Sequence, residues 1–251
     1  MTLFISSLAG AAIGRLFNIY LARRKNGGPT TFPFCPRCNK SFSGFDQIPI
    51  LGFFLAKGKC RTCQKPVPLQ YPLLESITVL LFALSALIYS SQCFLLFCSI
   101  VFVGFLILLS SSDAKWHLMP HSFNNLFILC GFLFSCGIST TPFSNSLFYA
   151  ASRFFILGAF LFILTRYFPL WLGGGDVKML AGLAVWLGVL NTFFVLLIAS
   201  GIAVVLFLAF YLMGIRKITL KTAIPFGPFL SLGALVVWFW PEFTVLEGMT
   251  P

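Results

Sequence analysis

The chain is poor in charge and poorest in negative charge. Of its 251 residues only 9% are charged, and only six are acidic: Asp46, Glu75, Asp113, Asp176, Glu242 and Glu247. Soluble domains carry about 25% charged residues. With 59% hydrophobic residues and a mean hydropathy of +0.96, this chain cannot cover its surface in water, which excludes an ordinary soluble domain and leaves an integral membrane protein. The first apolar run lacks a basic stretch before it and a small-residue cleavage site after it. It is therefore expected to be a retained first span rather than a cleaved leader. No G-x-G-x-x-G, P-loop, G-x-S-x-G or Ser-His pattern is present, so nothing points to nucleotide binding or serine hydrolysis. Repeats, low-complexity segments and long linkers are absent too.

What is present is basic: 17 Lys and Arg, for a net charge of +11. In a membrane protein such residues gather in cytoplasmic loops and meet anionic lipid headgroups, so no nucleic acid is implied. Apolar runs of spanning length, about 17–25 residues, occur near 2–22, 73–90, 93–112, 122–138, 147–165, 192–213 and 224–240. A shorter run at 177–190 is joined to the next span through Gly188 and Asn191, so 177–213 reads as two helices with a tight turn. About eight spans are expected. With the N-terminus outside, the loops 23–72, 113–121, 166–176 (with the first residues of the next span) and 214–223 hold every Lys and Arg except Arg15 and Arg153, which fall within spans. This asymmetry sets the topology. The expected architecture is all-α and multi-pass: a first span at 1–22, a cytoplasmic insert at 23–72 and a helical membrane core at 73–251.

The insert is too small to depend on an apolar core alone. It contains Cys35-Pro-Arg-Cys38, then 21 residues, then Cys60-Arg-Thr-Cys63. Two such knuckles suit a tetrahedral four-thiolate zinc site, and Arg37, Lys59 and Arg61 favour the thiolate form. Disulfides are the other reading of these cysteines, but a cytoplasmic segment is kept reduced. A closed four-thiolate site leaves no open position, so the zinc is expected to be structural. Cys93, Cys98, Cys130 and Cys136 lie in apolar runs and read as small buried hydrophobes.

Ionisable groups at membrane depth are costly and mark function by default. Asp113 closes the third span in SSSDAKWHLMPH, and Asp176 opens the sixth in WLGGGDVKML. Both are expected at the cytoplasmic mouth of the bundle. Gly173, Gly174 and Gly175 allow unusual backbone angles and close approach of a second backbone. Two close carboxylates share one proton, so one acts as base and the other as acid, as aspartyl hydrolysis needs. A proton-coupled transporter would use the same pair. Glu75 reads as a helix N-terminal carboxylate, Asp46 as a turn residue in the insert, and Glu242 and Glu247 as solvated. His117 and His121 flank Pro120 near Asp113. Lys178 would not face Asp176 on a regular helix.

The segments FCPRC…FDQIPILGFFLAKGKCRTCQKPVPLQYPLLE, the Asp after the third span followed by MP, GGGDVKML, and IPFGPFLSLGA occur in that order. Together they closely resemble the bacterial prepilin peptidases, the GxGD-type aspartyl proteases of type IV pilus and type II secretion systems. The similarity runs from GAAIGRLFN to about residue 234. It implies an eight-helix enzyme of the bacterial inner membrane with a cytoplasmic zinc insert. Its implied substrates are prepilins and pseudopilins with a short basic leader, cut after a glycine at the cytoplasmic face. The implied catalytic pair is Asp113 and Asp176, with Gly173 and Gly175 at the small positions of the signature. N-methylation of the new terminus with S-adenosylmethionine is implied too; a peptidase without methyl transfer and a carboxylate-dependent transporter are the alternatives. His121 stands where the family usually has Asp, and Arg15 where it usually has a small residue. The second departure bears on substrate preference and methyl transfer.

Overall fold

A chain in lipid must satisfy its own backbone, and helices do so within each segment. In the computed structural model the described residues are 1–26, 35, 38, 40, 48–138, 143–167, 173–213 and 225–240, without the side chains of 23–26 and 164–165. Asp46, Glu242, Glu247 and the basic loop 214–223 lie outside them. Among the described residues run nine helices: α1 (Thr2–Asn26), α2 (Leu51–Leu55), α3 (Gln70–Ile88), α4 (Cys93–Trp116), α5 (His121–Ile138), α6 (Phe143–Tyr167), α7 (Gly174–Leu187), α8 (Val189–Leu212) and α9 (Gly227–Phe239). Eight of them coincide with the eight apolar runs. Five contain stretches long and apolar enough to cross a membrane: Thr2–Ala22, Gln70–Ile88, Cys93–Trp116, Phe143–Ile163 and Val189–Leu212.

The expected turn between the sixth and seventh runs is made by Gly188 alone. Its φ of 88° lies where L side chains are strained, and α8 begins at the next residue. Asn191 belongs to α8, where its amide donates to the Leu187 carbonyl at 2.9 Å. The apolar-run cysteines are less uniform than their setting implies: Cys98 is buried, Cys130 and Cys136 are half-buried, and Cys93 at the start of α4 is exposed.

The chain divides into two compact units, Met1–Gly104 and Phe105–Pro251, with the boundary inside α4. In the first, α1 packs on α3 along a glycine seam. A Cβ at Gly10 would lie 2.9 Å from the Val79 Cα, and one at Gly14 would lie 2.9 Å from the Glu75 Cα. Two glycines four apart bring the helix backbones together where lipid supplies no hydrophobic drive. Ser99 donates to Ser85 at 2.9 Å, pinning the first half of α4 to α3.

In the second unit α7 is the centre, with α5, α6, α8 and α9 packed against it. Every residue from 179 to 187 is buried. Gly182 lies under the Phe127 ring and Gly131 under the Trp186 ring. The Trp186 indole donates to the Phe127 carbonyl at 2.9 Å and stacks on Phe134 at 5.0 Å. At 14 residues α7 is about 21 Å long, short of a bilayer core of about 30 Å. Its surroundings are protein.

Candidate active site

Asp113 lies near the C-terminal end of α4 and is 7% exposed. Its Oδ2 accepts the Gly227 amide, the first residue of α9, at 2.8 Å. The end of α4 is closed by His117, whose amide donates to the Asp113 carbonyl at 2.8 Å with φ at 52°. Asp176 occupies the third position of α7, and its carboxylate accepts the amide of Gly173, the N-cap residue. That is half of a capping box, with glycine in place of the usual hydroxyl residue. The other Asp176 oxygen, Oδ1, is buried without a hydrogen-bond partner among the described residues. The two carboxylates lie close enough for each charge to oppose the other.

The glycine triplet works differently from expectation. Gly173 is extended, with φ −72° and ψ 149°, and Gly174 and Gly175 are already helical, so no unusual backbone angle is used. Close approach is what matters. A Cβ at Gly175 would press on Met119 at 3.2 Å, and one at Gly173 would meet the Asp176 carboxylate at 3.2 Å. Among the described residues nothing lies within 4 Å of a Cβ placed at Gly174.

Three more residues surround the pair; Met119 and Gly227 stood in the sequence only as parts of the MP and IPFGP motifs, and Asn124 in none. Met119 packs against both Gly175 and Gly227. Asn124 is fully buried and donates to the Gly175 carbonyl at 3.4 Å, tying α5 to the start of α7. Gly227 was visible only as part of IPFGP. A buried Asn early in a helix behind Met-Pro is the one signal that could have exposed Asn124, since buried amides demand partners. Lys178 does turn away from Asp176: its Nζ lies 3.3 Å from the His121 Nδ1.

Glu75 is a correction. Rather than capping a helix start, it sits in the second turn of α3, buried. Its Oε2 accepts the Ile50 amide at 2.7 Å, and its Oε1 lies 3.5 Å from the Arg15 guanidinium.

In the insert, the Sγ atoms of Cys35, Cys38, Cys60 and Cys63 all lie within 4.8 Å of one another. The Cys35–Cys63 and Cys38–Cys60 separations are 3.9 and 4.0 Å. A tetrahedral zinc with Zn–S near 2.3 Å needs sulfurs about 3.8 Å apart, so the donor set fits. The two knuckles share one backbone turn: the Cys35 amide donates to the Lys40 carbonyl at 2.9 Å and the Cys60 amide to Lys65 at 3.0 Å. Burial opposes charge on the Cys60 thiol. The amides of Cys63 and Thr62 and the thiols of Cys63 and Cys35 outweigh it and draw the thiol down to about 7.

Residues 8–89 match the Bacterial Peptidase A24 N-terminal domain, and residues 100–209 match the Type IV leader peptidase family. A prepilin leader peptidase/N-methyltransferase of Klebsiella pneumoniae is 31% identical over 199 residues, covering 72% of this chain and 83% of the relative. The chain belongs to the prepilin leader peptidase/N-methyltransferase family. It is an enzyme of a peptidase family. Another such enzyme, from Neisseria gonorrhoeae, is 28% identical over 211 residues, 81% of this chain and 69% of the relative. A type 4 prepilin-like proteins leader peptide-processing enzyme of Escherichia coli is 28% identical over 211 residues, 80% of this chain and 72% of the relative. No solved structure matches the chain. The first family match contains the four cysteines, Arg15 and Glu75; the second contains Asp113, the glycine triplet and Asp176.

Proposed function

We propose that the protein is an aspartyl endopeptidase of the bacterial inner membrane. It removes the short basic leader of type IV prepilins and pseudopilins at the cytoplasmic face, and then methylates the new N-terminus. The observation that carries the peptidase reading is that buried Asp113, from α4, and half-buried Asp176, from α7, lie close enough for the charge of the first to act on the second. Two like charges in this setting oppose one another, and aspartyl hydrolysis works with one carboxylate of such a pair ionised and the other protonated. The ionised carboxylate takes a proton from water as the oxygen attacks the scissile carbonyl. The protonated one hydrogen-bonds the carbonyl oxygen and then delivers its proton to the leaving amine. The cytoplasmic placement is supported by the basic loops that flank both aspartates.

Cys35, Cys38, Cys60 and Cys63 would hold zinc in segment 23–72, where four thiolates leave no position for substrate. Methyl transfer is supported by the names of the relatives; when bound, S-adenosylmethionine would supply the methyl group that the new terminal amine accepts.

Asp113→Asn and Asp176→Asn test the peptidase reading, because Asn keeps size and polarity but can neither take nor give the proton. Membranes carrying each variant are mixed with a prepilin and leader loss is followed by gel shift. Each change should lower the rate by at least about 10²–10⁴-fold, with the double variant no worse than either single one. Processing at near the parental rate by either variant overturns the assignment.

A further inference from the structure

We propose that Gly227 is a positioning residue of the peptidase: its backbone amide fixes the Asp113 carboxylate for the reaction, and its missing side chain leaves room for that contact. The inference rests on the assignment of Asp113 to the chemistry. Gly227 lies beyond the residues matched to the peptidase family and 114 positions along the chain from Asp113.

The amides that open a helix have no partner within it, so each must be accounted for. At the start of α9 the accounting closes. Pro228 has no N–H to give, and the amides of Phe229 and Leu230 donate to the Phe226 carbonyl at 3.0 and 3.1 Å. Among the described residues of α9 itself the Gly227 amide is the one left without a turn or helix partner, and it donates to Asp113 Oδ2 at 2.8 Å in a buried setting. The positive end of the α9 dipole therefore faces the carboxylate. With Oδ2 held, Oδ1 remains for water and substrate, and rotation of the carboxylate is restrained. Reacting groups misplaced by about 1 Å cost rate by roughly 10²-fold.

Sterics make the same point. A Cβ at position 227 would lie 2.5 Å from the Met119 Cε, 2.9 Å from Asp113 Oδ2 and 3.0 Å from the Asp113 Cβ. A methionine methyl can swing away. The Asp113 Cβ is bonded to the backbone of α4 and can retreat only if the helix or the carboxylate moves. Any side chain at 227 should therefore displace the carboxylate.

Gly227→Ala is the direct variant, and kcat on a prepilin should fall at least tenfold. A second variant removes the donor without adding an atom of bulk: glycolic acid at 227, introduced by suppressor tRNA in cell-free synthesis, turns the amide N–H into an ester oxygen. Its kcat should fall roughly 10- to 100-fold, the worth of one hydrogen bond to a charged group, while KM and the thermal melting temperature in detergent stay at parental values. A merely structural glycine would instead lower the melting temperature or leave kcat alone. The inference is overturned by parental kcat in the ester variant, by a loss confined to KM, or by a fall in kcat that tracks loss of folded protein. Asp113→Asn keeps the two ideas apart. If it is inactive while the ester variant is normal, only the role of Gly227 fails; if it is active, both fail.

Discussion

Glu75 is 4% exposed and still has its carboxylate fully engaged. It accepts from Ile50 at 2.7 Å, pairs with Arg15 and is reached by the Asn18 side chain, which also donates to the Tyr71 carbonyl at 2.9 Å. Ile50 has φ 62°, a region that costs a β-branched residue energy. A carboxylate therefore holds a strained backbone at the mouth of a helix pair, with Arg15 as its counter-ion. Glu75→Ala leaves the guanidinium half-buried and the Ile50 amide without its acceptor. It should destabilise the protein on the order of 3 kcal/mol, read as a lowered melting temperature in detergent. An unchanged melting temperature would show that the cluster does not hold α1, α2 and α3 together. None of this could be read from sequence: Arg15 and Glu75 are 60 positions apart, and only the packing of α1 on α3 makes them neighbours.

At the scale of elements, the seam between α1 and α3 depends on glycines that meet backbone rather than flexible side chains. Gly14→Leu should force the helices apart and cost about 1–3 kcal/mol, the usual range for overpacking. Gly201→Leu, in α8 where none of the described residues lies within 4 Å of an added Cβ, should be tolerated. Comparing melting temperatures and yields of the two variants checks this; equal behaviour would mean the seam is not close-packed. The insert offers the other economy of small elements, four cysteines placed where they could hold a metal in place of a core. Purified protein should carry about one zinc, with four sulfur ligands near 2.3 Å by X-ray absorption. Cys60→Ser should lose the metal and loosen 23–72 to proteolysis while peptidase activity survives in part. Disulfides in freshly prepared protein would refute the metal reading. The knuckles were legible in sequence because both thiolates of each come from one short turn, which local spacing encodes.

For the whole molecule, two reactions are proposed on one chain, and they can be separated. With a prepilin and S-adenosylmethionine, the enzyme should add one methyl group, about 14 Da by mass spectrometry, to the amine that cleavage exposes. Product that is cut but never methylated would leave a peptidase alone. Zinc proposed at the four cysteines would have no open position, so chelation should affect either reaction only through loss of folded insert, and both should fall along with protease resistance of 23–72.

The sequence by itself determined the membrane class, the helical build, the four thiolates and the two aspartates worth testing. These are local or compositional properties: hydropathy over one span, two cysteines on one turn, an acid in an apolar run. Tertiary structure decided what those residues meet. Asp176 lies beside Asp113 because α7 is wrapped by α5, α6, α8 and α9, so a 14-residue helix shorter than the bilayer can bring a carboxylate to the end of α4. The glycine triplet serves tight packing rather than unusual angles because Met119 fills the space a side chain would need. Asp113 meets the amide of Gly227 because Pro228 has no N–H and the next two amides donate to the Phe226 carbonyl. The hydrogen-bonded partners Asn124–Gly175 and Asp113–Gly227 lie 51 and 114 positions apart, and a separation of that size leaves no periodic trace in the chain; only closed packing brings them within 3.5 Å of one another.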